Sequence, residues 1–299
     1  MDKLVLIDGN SLLNRAFYAM SVFTTKDGLP TNGVFGFVKL LLKIIDDEKP
    51  KYLAVAFDLH APTFRHKMYA DYKGTRKPMP EELVVQVPVL KDLLRAMKVC
   101  IVEKEGYEAD DLIGTLSKRF GSVESLIYTG DRDSYQLIGD RVTVCFTKRG
   151  VSDLVRLTKD NFLEHEGIEP WQIVELKALM GDSSDNIPGV RGVGPKSALS
   201  LLQSYGDLDG VYSHLDECSA SLRKKLTDYE EDARLSRTLA TIDRDVPLDL
   251  SLEDCALHIP FPEEARKAFA NLEFRSLVGS DYFSKEPVSE LTCRTCTAA

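Results

Sequence analysis

Nine acidic residues stand where a globular chain normally avoids clustered negative charge, most of them next to short apolar runs. They are Asp8, Asp58, Glu108, Asp110, Asp111, Asp131, Asp133, Asp182 and Asp185. A short apolar run bounded by polar residues is typical of a buried strand, and the carboxyl ends of parallel strands form one ligand crevice. Carboxylates gathered there would raise each other's pKa unless cations joined them. Oxygen ligands in this number predict a site for two Mg²⁺ ions, which Mn²⁺ can replace.

Two divalent ions held by carboxylates are suited to the hydrolysis of phosphodiester bonds. The alternative for any single aspartate is a turn or helix-cap residue. The sequences EADD and GDRD place their acids next to one another or two apart, where surface carboxylates would only repel. For the set as a whole we therefore favour the metal site.

Composition indicates a globular protein of the cytoplasm. The 299 residues suffice for one large domain and a smaller one. No apolar stretch approaches the length of a membrane span, and the N-terminal MDKLVLIDGN opens into a predicted strand instead of a signal peptide. We expect a monomer with no membrane partner. Cys293 and Cys296 form a CxxC without a second pair, so we expect no zinc or redox site there.

Basic residues are concentrated between Pro62 and Met79, in PTFRHKMYADYKGTRKPM, which we call the basic segment. It carries five Lys or Arg residues against one Asp, although the net charge of the chain is −9. Phe64, Tyr69 and Tyr72 lie among them. Basic side chains follow phosphates and aromatic rings stack on unpaired bases, so the segment suits single-stranded nucleic acid. The alternative is a solvated amphipathic helix and loop.

Strands and helices alternate along the first half of the chain. The predicted strands are 4–8, 52–57, 99–102, 125–130 and 141–146, with a hairpin partner near 154–156. The predicted helices lie near 10–20, 33–47 and 80–97, after EADD, and over DSYQLI. This alternation predicts an α/β fold with a doubly wound, mostly parallel sheet. From about residue 158 the pattern is helical.

A second motif, GDSSDNIPGVRGVGPKSALSLLQSYG, lies at 181–206. Gly189, Gly192 and Gly194 permit a tight hairpin, and Pro195 opens a helix with Lys196 beside it. The free N–H groups of a helix N-terminus bind anions, and the lysine adds a positive charge. The motif predicts a helix–hairpin–helix that contacts the backbone of a duplex without discriminating between bases.

The motifs IDGNSLLNRAFYA, AFD…PTFRH…YKGTR, EADD, TGDRDSYQL and GDSSDNIPGVRGVGPKSA, in this order, resemble the 5′ nuclease domain of bacterial DNA polymerases I, within the flap endonuclease superfamily. The resemblance runs from residue 1 to about 283. It implies a PIN-like nuclease core over 1–157 with a helical arch at about 62–97. It also implies a helical region over 158–283 with a helix–three-turn–helix DNA-binding element at about 182–205. We expect the tail 284–299 to be disordered.

The same resemblance implies roles for individual residues. All nine acidic residues would ligate two metal ions, with one of the EADD carboxylates bridging them. Lys73 and Arg76 would act with Asp110 in catalysis. A K⁺ ion at the 189–196 hairpin is a further expectation. The residues expected to contact DNA are Arg15, Phe17, Arg65, Tyr72, Lys73, Arg76, Gly189, Gly192, Gly194 and Lys196.

The function that this resemblance implies is that of a structure-specific 5′–3′ exonuclease and 5′-flap endonuclease. Its substrates would be 5′ flaps, nicked or gapped duplex DNA and RNA–DNA primer ends, in primer removal and DNA repair. A haloacid dehalogenase-type phosphatase is excluded, because it requires a second Asp at position 10, where this chain has Asn10. A PIN-type ribonuclease and a non-catalytic DNA-binding module are the two competing hypotheses. The sequence resembles no proofreading or polymerase domain, which leaves both a stand-alone nuclease and a part of a longer chain open.

Overall fold

A six-stranded sheet lies at the centre of the protein, whose computed structural model describes residues 1–148, 153–279 and 281–283. Its strands are β1 (Lys3–Asp8), β2 (Tyr52–Ala56), β3 (Cys100–Val102), β4 (Glu124–Thr129), β5 (Val142–Thr147) and β6 (Leu154–Leu157). They lie in the order β3-β2-β1-β4-β5-β6, and all are parallel except β6, which pairs antiparallel with β5. The predicted mostly parallel, doubly wound sheet is confirmed. The predicted tail 284–299, with its CxxC, lies outside the described residues.

Helices cover both faces of the sheet and form the second half of the chain. They are α1 (Gly9–Ala19), α2 (Asn32–Glu48), α3 (Phe64–Met68), α4 (Glu81–Val84), α5 (Gln86–Ala96), α6 (Ala109–Arg119), α7 (Lys159–Glu166), α8 (Gln172–Met180), α9 (Pro195–Tyr205), α10 (Leu208–Ser213), α11 (Ala220–Asp228), α12 (Glu230–Ala240), α13 (Glu263–Asn271) and α14 (Arg275–Val278). Three short 3-10 helices lie at Asp133–Leu137, Leu215–Glu217 and Glu253–Cys255. Among the helices that the structure describes, none has the length and apolar character needed to cross a membrane.

The side chains of β1 alternate between two hydrophobic cores, one on each face of the sheet. Leu4 and Leu6 pack with α6 and the helical second half, whereas Val5 and Ile7 pack with α1, α2 and α5. Successive residues of a strand point to opposite faces, so a strand covered on both sides must be apolar throughout. The run LVLI therefore places β1 in the interior of the sheet and carries Asp8 to its carboxyl edge.

The region of the predicted helical arch, at about 62–97, contains the three helices α3, α4 and α5. Between α3 and α4 the chain forms turns and loop, and the predicted helix 80–97 is divided at Val85 into α4 and α5. Pro88 lies in the first turn of α5, where its missing N–H breaks no helical hydrogen bond but prevents α4 from continuing. Leu90 of α5 is fully buried against the sheet, so α5 belongs to the core layer.

The loop 181–194 joins α8 to α9 and forms the predicted hairpin. Asp182 and Ile187 exchange backbone hydrogen bonds of 2.9 and 2.8 Å, which close its first turn. Gly189 has a φ of 60° and donates its N–H to the Ser236 hydroxyl at 2.9 Å. A Cβ at Gly189 would lie 2.1 Å from the Gly181 nitrogen, so this close approach of two backbone segments requires glycine.

The variant Gly189→Ala is expected to lower the free energy of unfolding by about 2 kcal/mol or more, since it combines a disfavoured φ with a backbone clash. Gly194→Ala is the matched control, because Gly194 has a φ of −97° and no atom of the described residues would lie within 4 Å of an added Cβ. The control should change stability by less than about 0.5 kcal/mol. Urea denaturation of both variants measures the difference, and equal losses would contradict the packing described for the loop.

Candidate active site

Four aspartates reach one cavity at the carboxyl edge of the sheet, and Glu108 also lines it. Asp8 ends β1, Asp58 and Asp131 follow β2 and β4, and Asp110 lies in the first turn of α6. All four line a cavity of about 610 Å³, which we call the carboxylate cavity. It lies where the strand order reverses between β1 and β4, the position at which open parallel sheets bind their ligands.

Hydrogen bonds from neighbouring elements orient two of these carboxylates. Asp8 caps α1 by accepting the Ser11 N–H at 3.0 Å, and its second oxygen accepts the Thr129 hydroxyl of β4 at 2.9 Å. Asp58 accepts the Ala109 N–H at the start of α6 at 2.8 Å. Each acid therefore ties the end of its strand to an adjacent element, and its position is fixed by the fold.

The carboxylate cavity concentrates negative charge. Burial raises the pKa of Asp8 to about 7, and the charge of Asp58 adds to this shift. Burial also raises the pKa of Asp110 well above its ordinary range, with the charges of Asp131 and Asp8 contributing. Within the described residues none of the four carboxylates forms an ion pair with a basic side chain. Such a cavity favours the uptake of cations or protons.

The other five acidic residues are paired with basic side chains of the same chain. Lys177 contacts both Asp133 and Asp182, at 2.5 Å from the latter. The remaining three are Glu108, paired with Lys73 at 2.8 Å, Asp185, paired with Arg76 at 2.5 Å, and Asp111, paired with Arg65 at 2.8 Å. In the described ranges no group of three His, Cys, Asp or Glu side chains is already arranged to hold a metal ion. The nine acids thus divide into an open set and a paired set.

The predicted roles of Asp111 and Arg65 are contradicted by the structure. Asp111 is fully buried and binds Arg65 through both carboxylate oxygens at 2.8 Å, while it also accepts the Glu108 N–H at 3.0 Å. These bonds occupy the oxygens that a metal ion would need. Arg65 is itself only 3% exposed, so its guanidinium cannot reach DNA. The pair belongs to the scaffold beneath the site.

Phe17 and Tyr72 were expected to contact DNA, but both are buried. Phe17 packs in the core formed by α1 and α2, with its ring 5.1 Å from that of Tyr18. Tyr18 is 66% exposed and lines the carboxylate cavity, so it is an aromatic residue available there. The Tyr72 hydroxyl lies 3.0 Å from Glu108 and 3.1 Å from Asp185. Its hydroxyl therefore orients acidic residues, and its buried ring offers no stacking surface.

The predicted basic residues Arg15, Lys73 and Arg76 all line the carboxylate cavity. Arg15 donates to the Gly130 carbonyl at 2.8 Å and so holds the loop that follows β4. Lys73 has a φ of 57°, and its N–H donates to the Asp185 carbonyl at 2.8 Å. This left-handed conformation is unusual for a lysine. The hydrogen bond from Lys73 to Asp185 joins the basic segment to the loop 181–194.

The predicted hairpin residues are only partly available for DNA. Gly189 is buried and its N–H is already donated to Ser236, which contradicts a direct contact. Gly192, Gly194 and Lys196 are exposed at the start of α9. Of the four predicted hairpin residues, these three are the ones that a nucleic-acid backbone could reach.

Two residues near the acids were not anticipated from the sequence. Lys177 lies on α8, and nothing in its spacing from Asp133 along the chain shows that the two meet. The Ser134 hydroxyl lies 3.3 Å from an Asp110 oxygen. Ser134 directly follows an acid in GDRDSYQL, and this position could have predicted its place near the site. The contact between Lys177 and Asp133 could be found only from the folded structure.

The parallel sheet, its carboxylate-lined cavity and the helix–hairpin–helix are the features of a nuclease. The chain belongs to the 5′–3′ exonuclease family. A family model described as "5'-3' exonuclease, N-terminal resolvase-like domain" matches residues 3–167. A second, described as "5'-3' exonuclease, C-terminal SAM fold", matches residues 168–263.

Curated relatives and solved structures agree with this family. DNA polymerase I of Caldicellulosiruptor bescii is 44% identical over 282 residues, covering 92% of this chain and 33% of the relative. DNA polymerase I of Bacillus caldotenax is also 44% identical, over 279 residues, covering 92% of this chain and 32% of the relative. The chain thus spans about a third of the length of these relatives.

The fold resembles that of solved nucleases. The T5 5′-exonuclease with bound zinc ions superposes with a TM-score of 0.66 at 19% identity, over 94% of this chain and 99% of that chain. The catalytic core of Rad2 in complex with a DNA substrate superposes with a TM-score of 0.58 at 15% identity, over 91% of this chain and 88% of that chain. At these identities the likeness shows the fold.

The raised pKa of Asp8 predicts a pH-dependent effect of Asp8→Asn in the metal-free protein. A carboxyl whose pKa rises from 3.8 to about 7 on folding destabilises the folded state as pH rises through this window, because the charged form is disfavoured there. In EDTA the stability of the variant relative to the parent should be greater at pH 8 than at pH 5, by on the order of 1–3 kcal/mol. Urea denaturation at the two pH values measures this. A constant difference would contradict the electrostatic cause.

Proposed function

We propose that the protein hydrolyses DNA phosphodiester bonds as a structure-specific 5′–3′ exonuclease and 5′-flap endonuclease. The observation that carries this proposal is the carboxylate cavity, where the four acids of the open set face Lys73 and Arg76. Family membership and the polymerase relatives support it. Removal of primers and repair of DNA are the cellular roles that fit this activity, and we propose a monomer that acts in the cytoplasm.

The donor set suits two Mg²⁺ ions, with Mn²⁺ as a substitute, since hard cations prefer carboxylate oxygens. Asp8, Asp58, Asp110 and Asp131 would hold them. Glu108, Asp133, Asp182 and Asp185 would join the set if their basic partners moved away. When bound, the ions would supply the activation of water and offset the charge of the leaving 3′ oxygen. A neighbouring exonuclease fold was solved with divalent metal ions, which supports this assignment.

The basic side chains of the cavity would bind and orient the phosphate that is cut. The Lys73 ammonium and the Arg76 guanidinium already bind carboxylate oxygens, and a phosphate presents oxygens of the same charge. Placed against its non-bridging oxygens, the two cations would stabilise the charge that develops in the transition state. Tyr18 at the cavity rim is suited to stack on an unpaired base.

The start of α9 would hold the duplex beside the cavity. Gly192, Gly194 and Lys196 are exposed there, and α9 begins without a side-chain cap, so its first N–H groups can bind a phosphate. A K⁺ ion in the 189–196 hairpin would strengthen this contact. Because contacts of this kind involve only the backbone, recognition depends on the structure of the DNA and not on its sequence.

A labelled 5′ flap on nicked duplex DNA is expected to be cut near the junction in the presence of Mg²⁺ and to remain intact in EDTA. A matching 3′ flap should not be cut, because duplex held at α9 leaves only the 5′ strand directed toward the basic segment. Denaturing gel electrophoresis of both substrates separates the outcomes. Equal cleavage of both flaps, or cleavage of RNA flaps alone, would overturn this proposal and favour a PIN-type ribonuclease or another less selective nuclease.

The variant Lys73→Met should lower the single-turnover rate by on the order of 10²-fold or more, the scale of a lost transition-state donor. Its matched control is Lys77→Met, because Lys77 is exposed in the same segment and does not line the carboxylate cavity. The control should change the rate by less than about threefold and affect mainly its salt dependence. If Lys73→Met altered only DNA affinity, the lysine would be a phosphate-binding residue without a role in the reaction.

A further inference from the structure

Lys177 connects the two halves of the molecule beneath the acidic site. It lies on α8, its side chain is 11% exposed, and its ammonium contacts Asp133 and Asp182. Asp133 begins the 3-10 helix that follows β4, whereas Asp182 begins the loop after α8. Throughout the described ranges, Lys177 is the one basic side chain paired with either acid. A single positive charge therefore bridges two carboxylates that belong to different parts of the fold.

The Lys177 ammonium contacts one oxygen of each acid, Oδ1 of Asp133 and Oδ2 of Asp182. Alanine and leucine side chains on the same helix, at Ala178 and Leu179, are fully buried in the core. These contacts anchor α8 in the core and hold the backbone of Lys177 beside the two acids.

We infer that Lys177 is a tethered counter-cation that competes with a divalent metal ion for Asp133 and Asp182. This inference rests on the proposed function, because it concerns metal ions at that site. An ammonium placed on carboxylate oxygens occupies the lone pairs that a metal ion would use, and its charge repels the ion. The pair Asp133–Asp182 therefore binds a divalent ion more weakly than the open set around Asp8 does. Lys177 therefore makes the two parts of the site, the Asp133–Asp182 pair and the open set, differ in their affinity for divalent ions.

The same interaction also accounts for the closeness of Asp133 and Asp182 within the paired set. Asp133 and Asp182 lie close enough to share one ammonium, and the charge of Lys177 is what allows them to do so. Lys177 lies between the two carboxylates, and the second oxygen of Asp182 accepts the Ser184 N–H and hydroxyl. Its removal should expose a stronger metal site at the expense of the stability of the metal-free protein.

The test measures metal binding and not catalysis. Mn²⁺ is titrated into the full chain by isothermal calorimetry, and bound Mn²⁺ is counted by electron paramagnetic resonance, for the parent, Lys177→Met and Lys118→Met. Met keeps the length of the side chain and removes its charge. Lys118 is the matched control, because it pairs with the exposed Asp245 and does not line the carboxylate cavity. Thermal unfolding of each protein is followed in EDTA and in Mg²⁺.

We expect Lys177→Met to bind the more weakly held Mn²⁺ about tenfold more tightly or better, the scale on which groups next to ligands change metal affinity. In EDTA its unfolding temperature should fall, and Mg²⁺ should raise it by more than in the parent, since a ligand stabilises in proportion to its affinity. Lys118→Met should match the parent in Mn²⁺ affinity. Lys177→Arg, which keeps the charge, should also match it, and Lys177→Gln, which keeps a hydrogen-bond donor, is a second neutral variant.

Unchanged or weaker Mn²⁺ binding in both neutral variants would overturn the inference and assign Lys177 a supporting role. That outcome leaves the proposed function standing, because the parent would still bind metal. Failure of parent and variants alike to bind Mn²⁺ would overturn the proposed metal-assisted function and the inference with it.

Discussion

The buried ion pair between Arg65 and Asp111 is the interaction on which the rest of the site depends. Two parallel hydrogen bonds of 2.8 Å join the groups, and the guanidinium also donates to the Leu239 and Thr241 carbonyls, each at 2.8 Å. Asp111 in turn accepts the Asp243 N–H at 2.8 Å. A buried charge pair loses more hydration than its attraction returns unless its remaining donors and acceptors are satisfied. Here they are satisfied by three elements, α3, α6 and the end of α12, which are thereby fixed around one point.

The acidic residues around this ion pair form two groups, those with a basic partner and those without one. Directly above the pair, Glu108 is bound by Lys73, and beyond it Asp185 and the Asp133–Asp182 pair have basic partners of their own. The four acids of the open set, three near strand ends and Asp110 in the first turn of α6, have none within the described residues. Their position follows from the sheet, since parallel strands must end together and Asp8 and Asp131 end neighbouring strands. The negative potential of the cavity thus follows from the topology of the sheet, whereas side-chain pairing offsets most of the charge of the other five acids.

Much of the fold could be predicted, because apolar runs, glycines and prolines act locally. The strand ends with Asp8 and Asp58 follow from patterns a few residues long. Asp110 and Asp111 are adjacent, yet one lines the cavity and the other is buried, since the helix turns their side chains apart. The spacing of Glu108 and Asp111 fits a capping box, which could have signalled the inward role of Asp111. The burial of Arg65 could not be foreseen, because its carbonyl partners lie more than 170 residues away.

The distance along the chain between Arg65 and its partners has a consequence for synthesis. A ribosome adds residues in order, so the sheet strands that carry Asp8, Asp58 and Asp131 emerge well before the end of α12. Until residues 239–243 are made, Arg65 and Asp111 lack the backbone groups that satisfy them in the interior. Until then, the ion pair that supports the neighbouring acidic residues has no fixed position. A nascent chain therefore carries every strand of the sheet and yet no assembled site, and completion of α12 is the moment at which the cavity takes its shape.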